Sequence, residues 1–267
     1  MTERIEWEEL PVEFRDAVEA RTGPVRASES VTSGFNCSLA LDVRTRGSGR
    51  LFLKGVRTSD DAGMAGLLCE DRINRTVSGI SPTVRHRFEA AGWLALAFIH
   101  IDGRHADYSP GAQDMGALTL TMRRMEGLRS PGFPIPQLWE RFTAYLKPGE
   151  AEKLAGGHLL HTDTNPHNIL IGHHDGTAYI IDWAMPVMGP SWVDPAYAAV
   201  WMMQYGHSPT DALAWLSGFP PWQRADPRAV EAFVAVTCRR WTDHMGETDA
   251  AASNECFHQL LNAIRST

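Results

Sequence analysis

The run His161-Thr162-Asp163-Thr164-Asn165-Pro166-His167-Asn168 packs a carboxylate, two amides and two imidazoles into eight residues. Fourteen residues after Asn168 comes Asp182-Trp183, past short apolar runs at 169–171 and 178–181 and a turn signal at Asp175-Gly176. A turn between two short apolar runs makes them arms of a hairpin. Such a hairpin would return Asp182 to the loop that carries Asp163 and Asn168. Two carboxylates and an amide brought together are hard oxygen donors, which suit Mg²⁺ completing its shell with water and phosphate oxygens. An isolated Asp-x-x-x-x-Asn is ordinarily a polar loop whose short side chains cap turns. The order of its neighbours along the chain has to decide between the two.

The elements that must position these residues divide near residue 100. Before it, Leu10, Phe14, Ala17 and Val18 recur at helical spacing. Leu39, Leu41 and Val43 alternate with less apolar residues, and Gly47-Ser48-Gly49 turns into Arg50–Val56, which predicts a hairpin with Phe52, Lys54 and Val56 on one face. A helix is expected over 61–75, then strands over 84–88 and 93–101 joined through Ala91-Gly92. After residue 109 helices are expected over 114–125 and 137–146. Several more follow from Pro195 to Ile264, broken at Ser208-Pro209, Phe219-Pro220-Pro221 and Asp226-Pro227. The pattern is α+β: a small β-rich part, residues 1–100, and a larger helical part, residues 101–267.

Composition narrows the field. The chain has 267 residues, 43% hydrophobic and 21% charged, an ordinary globular balance. Its longest strongly apolar stretch, Trp93–Ile99, is far too short for a bilayer, and the start carries acids in place of a basic signal segment. A soluble, cytoplasmic protein without a membrane partner is expected. A net charge of −7 argues against nucleic acid as the partner. The four cysteines are scattered without a Cys-x-x-Cys pair, which fits reduced thiols. Oligomeric state is not legible.

The His-x-Asp-x-x-x-x-Asn loop followed by a later Asp resembles the aminoglycoside phosphotransferase family of kinase-like small-molecule phosphotransferases, and the order of elements matches along nearly the whole chain. The resemblance implies a bilobal protein-kinase-like fold, with residues 1–100 as the nucleotide-binding lobe and 101–267 as the catalytic and substrate lobe. It implies Asp163 as the catalytic residue, His161 as a brace of its loop, and Asn168 and Asp182 as metal ligands for Mg²⁺. A carboxylate of ordinary pKa, about 4, is too weak to deprotonate an alcohol outright. Asp163 would therefore orient the hydroxyl and take its proton late. Lys54, the one lysine in the first hundred residues, matches the phosphate-binding lysine, and Glu70 the carboxylate that fixes it. Ser33 and Gly34 lie in the loop that would cover the nucleotide. Ile99 and Ile101 lie in the strand whose backbone would read the base of ATP or GTP. Asp194 resembles a largely structural aspartate of the family. Trp183-Ala184 stands where protein kinases have Phe-Gly, which favours a small-molecule acceptor.

The acceptor is a hydroxylated small molecule on this reading. Residues 101–267 carry 12 basic and 18 acidic residues, a sign that suits a cationic acceptor at modest density. Six of nine tryptophans follow residue 182, which is more often core than pocket, though two in a cleft would suit a macrolide or nucleoside. An antibiotic-inactivating kinase, a metabolic kinase for a sugar or amino-alcohol, and a catalytically dead binding module all remain open. Five histidines between 158 and 174 do not have zinc-site spacing, since an offset of three on a strand points His158 and His161 to opposite faces.

Overall fold

The computed structural model describes residues 4–31 and 37–265. The chain divides into two compact units, one of residues 1–104 with 172–185, the other of residues 105–171 with 186–267. Residues 172–185 thus belong with the first unit, although they lie far from it in sequence. A long-range bond ties the segment there, the Ile180 amide donating to Ile80 O at 2.8 Å.

In the first unit α1 (Val12–Thr22) precedes β1 (Val25–Ser30), β2 (Leu39–Thr45) and β3 (Gly49–Arg57). Then come α2 (Asp61–Ile73), β4 (Val84–Ala90) and β5 (Trp93–Ile99). The strands form an antiparallel sheet in the order β1-β2-β3-β5-β4. Period-two alternation sorts its residues. Leu41, Leu51, Leu53 and Ala95 pack with Phe14 and Val18 of α1, while Val56, Leu94, Leu96 and Phe98 pack with Leu67 of α2. Lys54 shares the parity of Val56, so it faces α2. Ala91 and Gly92, at φ 46° and 78°, make the left-handed turn that a tight hairpin needs. The Asp60 carboxylate caps α2 by accepting from Gly63 N at 2.9 Å.

The chain then passes through β6 (Gly103–His105). The second unit carries α3 (Asp114–Met125), a 3-10 stretch Leu138–Tyr145, α4 (Ala151–Leu154) and β7 (His158–Leu160). A 3-10 turn Pro166–Asn168 leads into β8 (Ile169–Gly172), and β9 (Ala178–Ile180) lies in the first unit's segment. β10 (Val187–Gly189) pairs antiparallel with β7, Val187 opposite Leu160. α5 (Val193–Gln204), α6 (Pro209–Ser217), α7 (Pro220–Gln223), α8 (Pro227–Met245) and α9 (Glu247–Arg265) complete it. The expected breaks fall where a proline opens each new helix, with Ser208 and Asp226 as side-chain caps.

Three expectations need correction. The helix over 137–146 is a 3-10 stretch, Leu138–Tyr145, opened by a capping box in which Gln137 N donates to Glu140 Oε1 at 2.7 Å. The strand expected over 93–101 ends at Ile99, whose amide donates to Thr83 O at 2.8 Å, one residue before β4 begins. α8 and α9 are separated by Gly246 at φ 82°, a break that carries no proline. Among the described residues no helix is long and apolar enough to cross a membrane.

One close approach in the second unit sets a stability test. A Cβ on Gly156 would stand 2.1 Å from the carbonyl carbon of Gly189, with rigid backbone on the far side. The exposed helical Gly116 has nothing within 4 Å. Gly156→Ala should lower stability by about 2 kcal/mol or more, and Gly116→Ala should raise it by about 0.5–1 kcal/mol. Urea unfolding of the two variants checks the opposite signs.

Candidate active site

Each unit holds one half of the predicted constellation. In the first, β3 presents Lys54 and α2 presents Glu70, whose Oε2 lies 2.7 Å from Lys54 Nζ. Asp182 Oδ1 also lies 2.7 Å from Nζ. The side chains of Lys54 and Glu70 are 13% and 5% exposed, that of Asp182 29%. An ammonium has three donors, so the two carboxylates leave one for a phosphate oxygen. Burial alone would push Lys54 down, but Glu70 and Asp182 outweigh it and hold the ammonium above the ordinary lysine range. Burial pushes the Glu70 carboxyl up, against the pull of Lys54 and the Trp183 backbone amide.

Asp182 takes a left-handed φ of 65°, which costs a side-chain-bearing residue about 1–3 kcal/mol. Its ion pair with Lys54 helps to offset that cost. A cleft of about 380 Å³ opens beside it, lined by Lys54, Val56, Gly63, Gly66, Leu67 and Asp182. A Cβ on Gly63 would stand 2.4 Å from Asp60 Oδ2, and one on Gly66 3.4 Å from Ala184 Cβ, so larger residues at Gly63 would crowd the cap of α2.

In the second unit the loop after β7 is clamped from several sides. Asp194, at the start of α5, accepts the amide of His161 at 2.9 Å on Oδ2 and that of Thr162 at 2.6 Å on Oδ1. Burial holds the Asp194 carboxyl above its usual range, opposed by the His161 ring, these amides and Arg141. His161 is buried, and its Nδ1 accepts from Asp163 N at 3.3 Å. Thr162 is left-handed at φ 64°, an uncommon state for a β-branched residue. Its hydroxyl donates to His161 O at 2.6 Å and accepts from Arg141 Nη1. Tyr108, whose phenol burial pushes up, donates to Thr164 O at 2.9 Å.

These clamps leave Asp163 outward-facing with its carboxylate plane fixed. Asn165 Nδ2 donates to Oδ1 at 2.6 Å, and Asn168 Nδ2 donates to Oδ2 at 2.9 Å and to the Asp163 carbonyl at 3.0 Å. The Asn168 NH2 group is thereby committed to Asp163. Asn165 also caps the 3-10 turn by accepting from His167 N at 2.9 Å.

Asn165 and Arg141 were not foreseen. Asn165 sits inside the motif as an Asn-Pro turn former, a signal that was present; Arg141, twenty-two residues ahead of Asp163, had none. Of the predicted base-reading residues, Ile99 is 43% exposed and its amide is taken by Thr83 O at 2.8 Å, so only its carbonyl could meet a base. Ile101 lies beyond the end of β5 and is half-buried. Ser33 and Gly34 lie outside the described residues. The late tryptophans divide: Trp183, Trp192 and Trp222 are buried, and Trp192 packs edge-on to Trp222 and Phe233 at 5.9 and 5.4 Å.

The model of the phosphotransferase enzyme family matches residues 78–233, more than half of the chain, and the chain belongs to that family. Solved structures share the fold at low identity. A choline/ethanolamine kinase family protein from Mesorhizobium loti is 16% identical, with a TM-score of 0.57 over 92% of this chain and 94% of that one. The choline kinase LicA from Streptococcus pneumoniae is 10% identical, with 0.58 over 94% and 98%. A macrolide 2'-phosphotransferase from Brachybacterium faecium is 16% identical, with 0.54 over 92% and 96%. No curated protein matches the chain.

The buried pair gives a test with a defined sign. In Lys54→Met the burial that raises Glu70 loses its nearest opposing cation, so the folded state holds a proton that the unfolded state releases above pH of about 4.5. The variant's stability relative to the native chain should therefore improve as pH falls from 8 towards 5. Lys54→Met with Glu70→Gln should lose that dependence. Chemical denaturation across this range, with both variants showing the same slope, would contradict the pairing.

Proposed function

We propose that the chain transfers the γ-phosphate of ATP or GTP to a hydroxyl of a small molecule, and that the acceptor is a hydroxylated antibiotic. The observation that carries the reading is the Lys54 ammonium held charged between Glu70 and Asp182 with one donor left over. Such a cation suits the anionic oxygens of a nucleotide.

Lys54 would bind and orient a phosphate oxygen, and Glu70 would fix Lys54. Asp182 and Asn168 carry hard oxygen donors and would serve as the ligands of Mg²⁺. When bound, Mg²⁺ neutralises charge on the phosphates. Asp163, its plane set by Asn165 and Asn168, would hold the acceptor hydroxyl in line with phosphorus. The acceptor oxygen bonds to the γ-phosphorus, the bond to the bridging oxygen breaks, and the hydroxyl proton passes to Asp163. The products are a phosphorylated alcohol and a nucleoside diphosphate. Oxygen lone pairs fixed by two amides need little reorganisation when the proton arrives.

A second reading, an amino-alcohol kinase, is favoured by the fold likeness to the two proteins described as choline kinases. The macrolide phosphotransferase likeness supports the antibiotic reading on the same footing. Turnover decides between them.

The test is phosphate transfer from Mg-ATP and Mg-GTP to aminoglycosides, macrolides, nucleoside antibiotics, choline and ethanolamine, read as the mass of one added phosphate. Asp163→Asn should cut turnover by about 10³-fold on whichever acceptor reacts. Transfer confined to choline or ethanolamine would overturn the antibiotic assignment. Transfer unaffected by Asp163→Asn would overturn the mechanism.

A further inference from the structure

The second unit carries a cleft of about 530 Å³ that shares no residue with the motif loop. Its cations come from three separate places in the chain: Arg129 after α3, Lys153 on α4 and Arg224 after α7, with His158, whose ring burial and Arg129 keep towards the neutral form, at the start of β7. Lys153 and Arg224 are exposed and have no hydrogen-bond or ion-pair partner among the described residues. Arg129 is anchored through Nη1 on the carbonyls of Glu126 and Leu128, at 3.0 and 3.1 Å. In a chain of net charge −7, three cations on the lining of one concavity are against the trend of the surface.

Two carboxylates share the lining, so three cations face two acidic groups, each of which is engaged within the protein. Asp226 Oδ1 accepts from Arg228 N at 2.9 Å as the cap of α8, and it stands at that helix's positive end. Glu126 Oε1 is closed off from solvent without a hydrogen-bond partner. Burial pushes the Glu126 carboxyl up against the pull of Arg123 and Arg224. The floor is apolar, formed by Trp192 beside Pro190 and Pro221.

We propose that this cleft is a second ligand site, which binds a small anion, a phosphate monoester or a carboxylate, carrying an apolar body. Lys153, Arg224 and Arg129 meet the anionic group, and Trp192 with the two prolines meets the body. The site does not depend on the phosphotransfer reading. It does border the elements that hold the motif loop, since His158 opens β7, which leads into His161, and Trp192 lies two residues before Asp194.

The experiment is titration calorimetry of the full chain at low ionic strength with phenyl phosphate, benzoate and phenol. Phenyl phosphate or benzoate should bind at least tenfold more tightly than phenol, and added salt should weaken that binding. Lys153→Glu with Arg224→Glu should weaken it at least tenfold, while Lys54→Met leaves it unchanged. Should the double reversal fail to fold, Lys153→Gln and Arg224→Gln separately should each weaken binding about threefold. No binding of either anion, phenol binding equally well, or loss of binding in Lys54→Met with survival in the charge reversal would each overturn the proposal.

Discussion

One ammonium group lies between two carboxylates from different parts of the chain, and much of the first unit's order follows from it. Lys54 comes from the middle of the sheet, Glu70 from the helix packed on it, and Asp182 from a segment that returns 128 residues later. Burying any one of the three alone would be costly, because an unpaired buried charge loses its hydration without recompense. Each therefore fixes the others. β3 and α2 must keep their register, and 172–185 must join a unit from which it is far in sequence.

The same logic governs the motif loop in the second unit, with the signs arranged differently. There a buried carboxylate, Asp194, holds two backbone amides. It keeps Thr162 in a left-handed state that its side chain disfavours. Arg141 meets the Thr162 hydroxyl from the 3-10 stretch. The result is an Asp163 that projects outward while its backbone is held from behind and its oxygens from the sides. Both of the motif's key acidic positions are thus positioned by strained backbone: Asp182 is itself left-handed, and Thr162 precedes Asp163. Strain of this kind persists only where surrounding bonds over-determine it.

Much of this was legible in the sequence, and the reasons differ by element. Strand alternation placed Lys54 and Val56 on one face, because a period of two admits no other outcome once the turn at 47–49 is set. The spacing of Asp163 and Asn168 suffices to close one turn, and their hydrogen bond follows. Prolines marked three helix starts. What was not legible depends on distant chain: the return of 172–185 to the first unit, the choice of Arg141 as partner for Thr162, and β1, whose residues Val25–Ser30 hold little apolar patterning of their own. The cations of the second unit's cleft were hidden for the same reason, since they come from three stretches of chain that only tertiary packing brings together.

The central claim is that Lys54 and its two carboxylates serve the nucleotide, while Asp163 serves the acceptor. Calorimetric affinities for Mg-ATP of the native chain, Lys54→Met and Asp163→Asn test that division directly. The account predicts an affinity at least tenfold weaker for Lys54→Met and unchanged for Asp163→Asn. Equal affinity in Lys54→Met and the native chain would contradict it.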